Sequence, residues 1–301
     1  MADPLKQKAL DLLTILSTKD ISDSTTNTDP LPELSVLHGD LISLLSLLYA
    51  ACTKIALVLN PSSPAFKAAA DPLNDALKHR IGLSHCLSIY NSPNSKYGET
   101  LRAEVEHEIS DVLDALKSFA EVQTKVVQGA KRALGSKAGD AERFMRVGAV
   151  HDMIDKAKKV SKDNVEAVRK RWEQDKAILE DSMREVEEAL EEEAGEDEED
   201  DGWDELGLGG SSEMTNEDRE RTTQILALVK KTIKQHDRVR EAKLQSSAVK
   251  GDGSQLDLLP LLSRDVSNAV DDLVATLYTS NVDEGELDRL KAEISRLEAI
   301  T

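Results

Sequence analysis

Aromatic residues make up only 3% of this 301-residue chain. β-Sandwiches and barrels draw on aromatic and β-branched side chains, so the scarcity argues against them. Proline (eight) and glycine (fifteen) are also few, and they cluster between apolar-periodic segments. Leu, Ala, Val, Glu, Lys and Asp dominate instead, a composition suited to packed helices. An all-α fold is expected. Cysteine is nearly missing: Cys52 and Cys86 are too few and isolated for a disulfide framework or a zinc site. Both lie in apolar helical contexts, which predicts buried thiols in a reducing compartment. Long hydrophobic runs are lacking too. The most apolar stretch, Leu41 to Thr53, has 13 residues between Asp40 and Lys54, short of the ~20 that cross a bilayer. The opening Met1-Ala-Asp-Pro-Leu-Lys6 has an acid and no apolar core, unlike a secretory signal. The expectation is a soluble intracellular protein without a membrane partner.

Basic residues are missing from one place in particular. Between Glu185 and Glu205 stand 14 carboxylates and no Lys or Arg. That stretch holds most of the formal charge of −19; outside it the acids exceed the bases by only five. A polyanion repels phosphates, so direct nucleic-acid binding is not expected.

What is present is helical periodicity. A first helix is predicted from Pro4 to about Thr18, with Leu5, Leu12, Leu13 and Leu16 on one side. The next, about 33–59, is apolar nearly all round through Leu41, Leu44, Leu45, Leu48, Ala51, Ile55 and Val58, which assigns it to a bundle centre. A third, about 64–90, carries Phe66, Leu73, Ala76, Ile81, Leu83 and Leu87, with Pro72 inside. The fourth steps by three, four or seven through Leu101, Val105, Ile109, Val112, Leu116, Phe119 and Val126 to about Arg132. Residues 140–193 lack proline and as one helix would extend ~80 Å. A break is predicted at Ser161–Asp163, where Asp163 and Glu166 have capping-box spacing. Beyond it Val165, Trp172, Leu179 and Val186 repeat every seven residues, joined by Val168, Met183 and Leu190, a seam for near-parallel packing on another long helix.

The organisation expected is therefore an antiparallel helical bundle over 1–194, an acidic glycine-rich linker over 195–214, and a C-terminal three-helix segment over 215–301. Its helices fall near 216–245, 256–279 and 284–299 and pack on the bundle or on the 163–193 helix. The linker resists folding because like charges repel and glycine is costly to order.

Few constellations could carry chemistry. Glu104-Val-Glu-His107 has the Glu-x-x-His spacing of di-iron bundles, but two such motifs are needed and the chain has one. His151-Asp152 resembles the His-Asp pair of helical phosphohydrolases, whose other ligands are not identifiable. A metal-dependent helical enzyme centred on either pair is the alternative to a non-catalytic protein. No phosphate loop, nucleophile elbow or Cys–His pairing occurs, and no cofactor is implied. Trp203 and Leu206 in the linker resemble a short motif that docks on ubiquitin-like autophagy modifiers; they equally suit an anchor packed on the bundle. Ser182, Thr26 and Thr215 each have an acid three residues on, as acid-directed kinases prefer, and Thr215 suits a helix N-cap. Lys156, Lys158, Lys159, Lys162, Arg169, Lys170 and Arg171, with Lys230, Lys231, Lys234, Arg238 and Arg240, form either solvated faces or a counter-surface for the acidic run.

The C-terminal stretch from Val266 to Tyr278 carries an apolar stripe, Val266, Ala269, Val270, Leu273, Val274 and Leu277, that needs another helix to cover it. It follows the leucine-rich Leu256-Asp-Leu-Leu-Pro-Leu-Leu262. This run resembles the end of the cyclin-D-interacting protein (GCIP) family, with its Val-Asp-Asp-Leu-Val…Tyr pattern. Residues 147–156, 162–170 and 179–188 are similar to the family's middle region. The resemblance implies an all-helical, non-enzymatic protein of cytoplasm and nucleus, related in fold to vinculin and α-catenin bundles. It also implies binding to cyclin D or helix-loop-helix transcription factors and negative regulation of cell-cycle transcription. Apart from the resemblance, a monomer or weak homodimer is expected. The family's helix-loop-helix description could map onto 218–279; an antiparallel hairpin inside a bundle fits the same spacing. Asp271, Asp272, Leu273, Leu277 and Tyr278, with Trp203 and Leu206, are the candidate partner-binding residues.

Overall fold

The computed structural model describes residues 3–18, 31–61, 63–129, 137–192, 215–245, 253–278 and 284–300. Of these, 88% are helical and none lies in a strand. The chain divides into two compact units, Met1–Ala167 and Val168–Thr301.

The first unit contains α1 (Pro4–Ser17), α2 (Leu34–Val58), α3 (Phe66–Tyr90), α4 (Glu99–Gln128) and α5 (Lys137–Ala157). Asp3 starts α1, its carboxylate accepting the Leu5 N–H at 3.0 Å, with Pro4 at the first helical position. Gly129, at φ 82°, ends α4 in the left-handed region that favours glycine. α1 packs on α3 and α4, α2 on α3 and α5, and α4 on α3 and α5. The five helices thus form a ring around one core. Leu13, Leu45, Leu48, Ile55, Leu73, Leu116 and Phe119 are all buried within it.

Three expectations are corrected here. Helix α2 is a member of the ring and not its enclosed centre. Leu41, Leu45, Leu48, Cys52 and Ile55 face inward, whereas Val36, Leu47 and Leu57 are 55%, 50% and 72% exposed. Counting one unbroken apolar run also understated this helix. Over its 25 residues it is long and apolar enough to cross a membrane, with a mean hydropathy of 2.0 in its richest window, a third of which is buried. Leu5 and Ile81 point outward at 43% and 61% exposure, because neither lies in the arc covered by a neighbouring helix.

The chain turns between α5 and α6 (Asn164–Glu192) at the predicted place. Asp163 accepts the Glu166 N–H and Glu166 accepts the Lys162 N–H, both at 2.8 Å. This reciprocal pair is shifted one residue outward from the ordinary capping box. Asn164 also supplies the cap that α4 lacks, since Gly98 at its N-terminus has no side chain. The Asn164 Oδ1 accepts the Leu101 N–H at 2.9 Å. Gly98 sits at φ 97°, and a Cβ there would lie 2.0 Å from Asn164 Cγ.

The second unit takes in most of α6 with α7 (Asn216–Val239), α8 (Gly253–Ala275) and α9 (Glu284–Ala299). The expected bundle over 1–194 therefore ends earlier in space than in the sequence reading. Trp172, Leu179 and Val186 have no exposed surface, and Leu179 and Val186 join Ile225, Val229, Val270, Leu273, Leu290 and Ile294 in one core. Val165, expected in that seam, is only half-buried; Val168 is the fully buried residue one turn on. Ion pairs record an antiparallel register between α6 and α7 with the π-helical turn that continues it (Arg240–Leu244): Glu173–Arg240 at 2.9 Å, Lys176–Asp237 at 2.7 Å and Glu187–Lys230 at 2.8 Å. Asp265–Arg296 (3.7 Å) and Asp272–Arg289 (2.5 Å) do the same for α8 and α9. Exposed pairs are worth ~0–1 kcal/mol each, so they fix register more than stability.

Candidate partner-binding surface

Helix α8 has two faces. The inner one, Val266, Ala269, Val270, Leu273 and Val274, is buried in the second unit's core. The stripe that called for a covering helix is thus covered from within the chain, and Leu273 has no surface to offer a partner. Leu277 is half-buried against the same core. Asp271 and Asp272 face outward, Asp272 held by Arg289. Tyr278 closes a short 3₁₀ turn after α8. Trp203 and Leu206 lie outside the described residues, as does Thr26 and most of the acidic run. Where the run starts, Glu187 pairs with Lys230. Helices α7 and α8 form a hairpin inside the four-helix packing.

A buried polar node lies behind the inner face. The Trp172 ring stacks on His236 with centroids 4.0 Å apart and planes 20° from parallel. The indole Nε1 donates to the His236 carbonyl at 3.3 Å. His236 Nε2 lies 2.9 Å from Ser263 Oγ, and the nearby buried Asp175, which no hydrogen bond satisfies, has Arg171 at 3.1 Å. Burial pushes the His236 pKa down to about 3. Burial likewise raises Asp175, opposed by Ser263 and Arg171. Ser, His and Asp meet here without forming an acyl-transfer triad: nothing bonds the imidazole Nδ1, so no carboxylate orients it, and all three side chains are shut off from solvent. The node specifies how α6, α7 and α8 fit together.

Asp175 escapes a reading of the sequence that follows only apolar residues, which takes in Val168, Met183 and Leu190 beside the seven-residue repeat but passes over a polar one. The intervening column, Val168, Asp175 and Ser182, is buried too. A charged residue in that column is the signal that could have found it.

Neither metal-site alternative gathers a ligand set among the described residues. Glu104 accepts the Ser161 N–H at 3.4 Å, while His107 is exposed and 3.7 Å from Asp111. Lys156 pairs with Glu108 and Asp111 at 3.4 and 3.1 Å. His151 stacks on Tyr49 at 3.7 Å and meets Thr53 at 3.1 Å; burial lowers its pKa, and Asp152 points to solvent. Among the described residues no three His, Cys, Asp or Glu side chains gather around a common point. The kinase-type sites also separate. Ser182 is buried and donates to the Ile178 carbonyl. Thr215 caps α7 in a reciprocal box with Asp218.

One cleft of about 320 Å³ opens in the first unit, lined by Arg80, Ser84, Ser88, Asn91 and Lys117 among others. Its buried guanidinium donates to the carbonyls of Ile15 and Thr18 and so closes the end of α1.

Packing, capping and ion pairing account for these constellations, which defines the class: a two-unit, all-helical protein whose polar groups hold helices in register. The chain belongs to the Grap2 and cyclin-D-interacting family, whose N-terminal model matches residues 40–192 and whose C-terminal model matches residues 199–301. No curated protein matches it. The family boundary falls in the acidic run, whereas the structural one falls between Ala167 and Val168.

Proposed function

We propose that this protein is a non-catalytic helical regulator that acts by binding other proteins, with a D-type cyclin as its first partner. The observation that carries the reading is the pair of cyclin-D-interacting family matches over 40–192 and 199–301. The finer reading is an adaptor of cytoplasm and nucleus that holds cyclin D or helix-loop-helix transcription factors and lowers cell-cycle transcription. The acidic balance supports protein partners over nucleic acid. The burial of the inner α8 stripe supports contact through the outer face, where Asp271 and Asp272 stand.

The test is direct binding of the purified full chain to a purified D-type cyclin by calorimetry. Saturable binding at micromolar or tighter affinity is expected, weakened about tenfold by Asp271→Lys if an interfacial charge pair is lost. Absence of binding to every D-type cyclin would sink the reading. Full affinity in the Asp271→Lys variant would move the interface off α8.

A further inference from the structure

Helix α1 fills a groove that is longer than the helix itself. It lies against both α3 and α4, and those two touch each other less than either touches α1. Ala9, Leu13 and Leu16 are buried there, a small residue and two leucines at i, i+4 and i+7 of one helix face. α1 has only 14 residues, whereas α3 has 25 and α4 has 30. Past Thr18 the groove continues as the open cleft, walled by Leu87 and Asn91 of α3 and by Leu113 and Lys117 of α4. Where helix gives way to cleft, Arg80 fastens α1 through two backbone carbonyls, those of Ile15 and Thr18. Residues 18–33, sixteen in all, separate α1 from α2. At ~3.3 Å per residue that is chain enough for α1 to leave the groove without moving α2.

We propose that the α3–α4 groove is a binding site for an amphipathic helix of a partner protein, with α1 as its displaceable resident. α1 is the template for the occupant: Ala or Gly, then Leu, then Leu, at i, i+4 and i+7. The open cleft adds a fourth anchor, an apolar side chain at i+11 that meets the half-buried Leu87 and Leu113. This chain has Asp20 at that register position, so the α1 of a second copy would gain nothing over the resident one. A partner helix with an apolar residue there makes a contact that α1 does not make. It can also begin in the open cleft before α1 has left. That advantage is needed, because a tethered helix competes at an effective concentration around millimolar. The inference takes protein binding from the preceding reading, but it names a different surface, within the first unit, and is tested without a cyclin.

The probe is a fluorescent peptide of residues 3–24 carrying Asp20→Leu. It should bind the wild-type chain weakly, since the resident helix competes. Leu13→Asp with Leu16→Asp in the full chain evicts α1, and uptake should rise by about tenfold or more. Arg80→Gln, which removes the fastening and leaves the leucines in place, should raise it several-fold. The same peptide with its native Asp20 should bind about tenfold less tightly. Uptake that neither variant raises overturns the proposal, as does equal binding of the two peptides. Should the double variant unfold, Arg80→Gln decides. Hydrogen exchange of the wild-type chain is a check that needs no substitution. There α1 should exchange well before α3 and α4, and equal protection of the three helices overturns the proposal. A wild-type dimer in sedimentation that the double variant abolishes would give the groove to a second copy, which overturns it too.

Discussion

Replacing Trp172 should cripple the second unit and leave the first unharmed. Trp172 is fully buried, its ring lies on His236, and its N–H satisfies the His236 carbonyl. Truncating a buried Trp to Ala costs roughly 3–5 kcal/mol. Losing the hydrogen bond adds about 1 kcal/mol, so Trp172→Ala should fall near the top of that range. Small domains are stable by only ~5–15 kcal/mol, which makes this a large fraction. Trp172→Phe keeps a stacked ring and loses the hydrogen bond and some volume, for about 1–2 kcal/mol. Helicity at 222 nm in urea measures both, since tryptophan fluorescence is altered by the substitution itself. Hydrogen exchange read by mass spectrometry locates the damage: α7, α8 and α9 should lose protection, and α2 and α3 should keep theirs. A Trp172→Ala cost below about 1 kcal/mol would refute the buried stack. Equal costs for Ala and Phe would refute the role given to the ring.

Three further outcomes are expected. Asn164→Ala should lose about 1 kcal/mol as the α4 cap disappears, and Gly98→Ala should lose more, from both the 2.0 Å clash and the positive φ. In the Asn164→Ala background the Gly98→Ala cost should shrink but not vanish, a non-additivity that urea melts of all four proteins can measure. Acid should weaken the fold through His236: with a folded pKa of about 3 against an ordinary 6.5, its contribution is intact above 6.5 and declines as pH falls through that window, by at most ~1.4 kcal/mol per pH unit. Asp175 opposes this, because its raised pKa lets the folded form take up a proton first; the urea midpoint of His236→Phe should fall less between pH 7 and 5 than that of the wild type. Burial raises the thiols of Cys52 and Cys86 to about 12 and about 11, so iodoacetamide at pH 8 should label neither until denaturant is added.

The helices were legible in the sequence because apolar spacing over 25 or 30 residues leaves little choice of conformation. Leu101 through Val126 in α4 and Trp172, Leu179 and Val186 in α6 are buried where their periodicity puts them. The break before α6 was legible too, since Asp163 and Glu166 had the chemistry to start a helix. Orientation was less readable. A stripe says that some helix must cover it and not which one, so Leu273 read as a partner surface when its partners are the chain's own Val229 and Leu290. Nor does local pattern reveal that Asn164 caps a helix beginning some 65 residues earlier. The outward face of Leu258 and Leu261, 55% and 47% exposed in α8, was hidden for the same reason: a leucine in a leucine-rich helix reads as core until its neighbours are placed.

The placement of most of α6 with the C-terminal helices bears on how fragments of this protein behave in interaction mapping. A piece beginning at 199, where the C-terminal family match begins, would lack Trp172, Leu179 and Val186 and leave Ile225, Val229 and Val270 facing water. The complementary piece ending at 192 would carry the other half of that seam uncovered. Both would adhere to amphipathic helices in general, and each would capture the other most readily of all. Apparent partners found with such halves would report a severed core, whereas a cut near Val168 keeps the seam and its cover on one polypeptide.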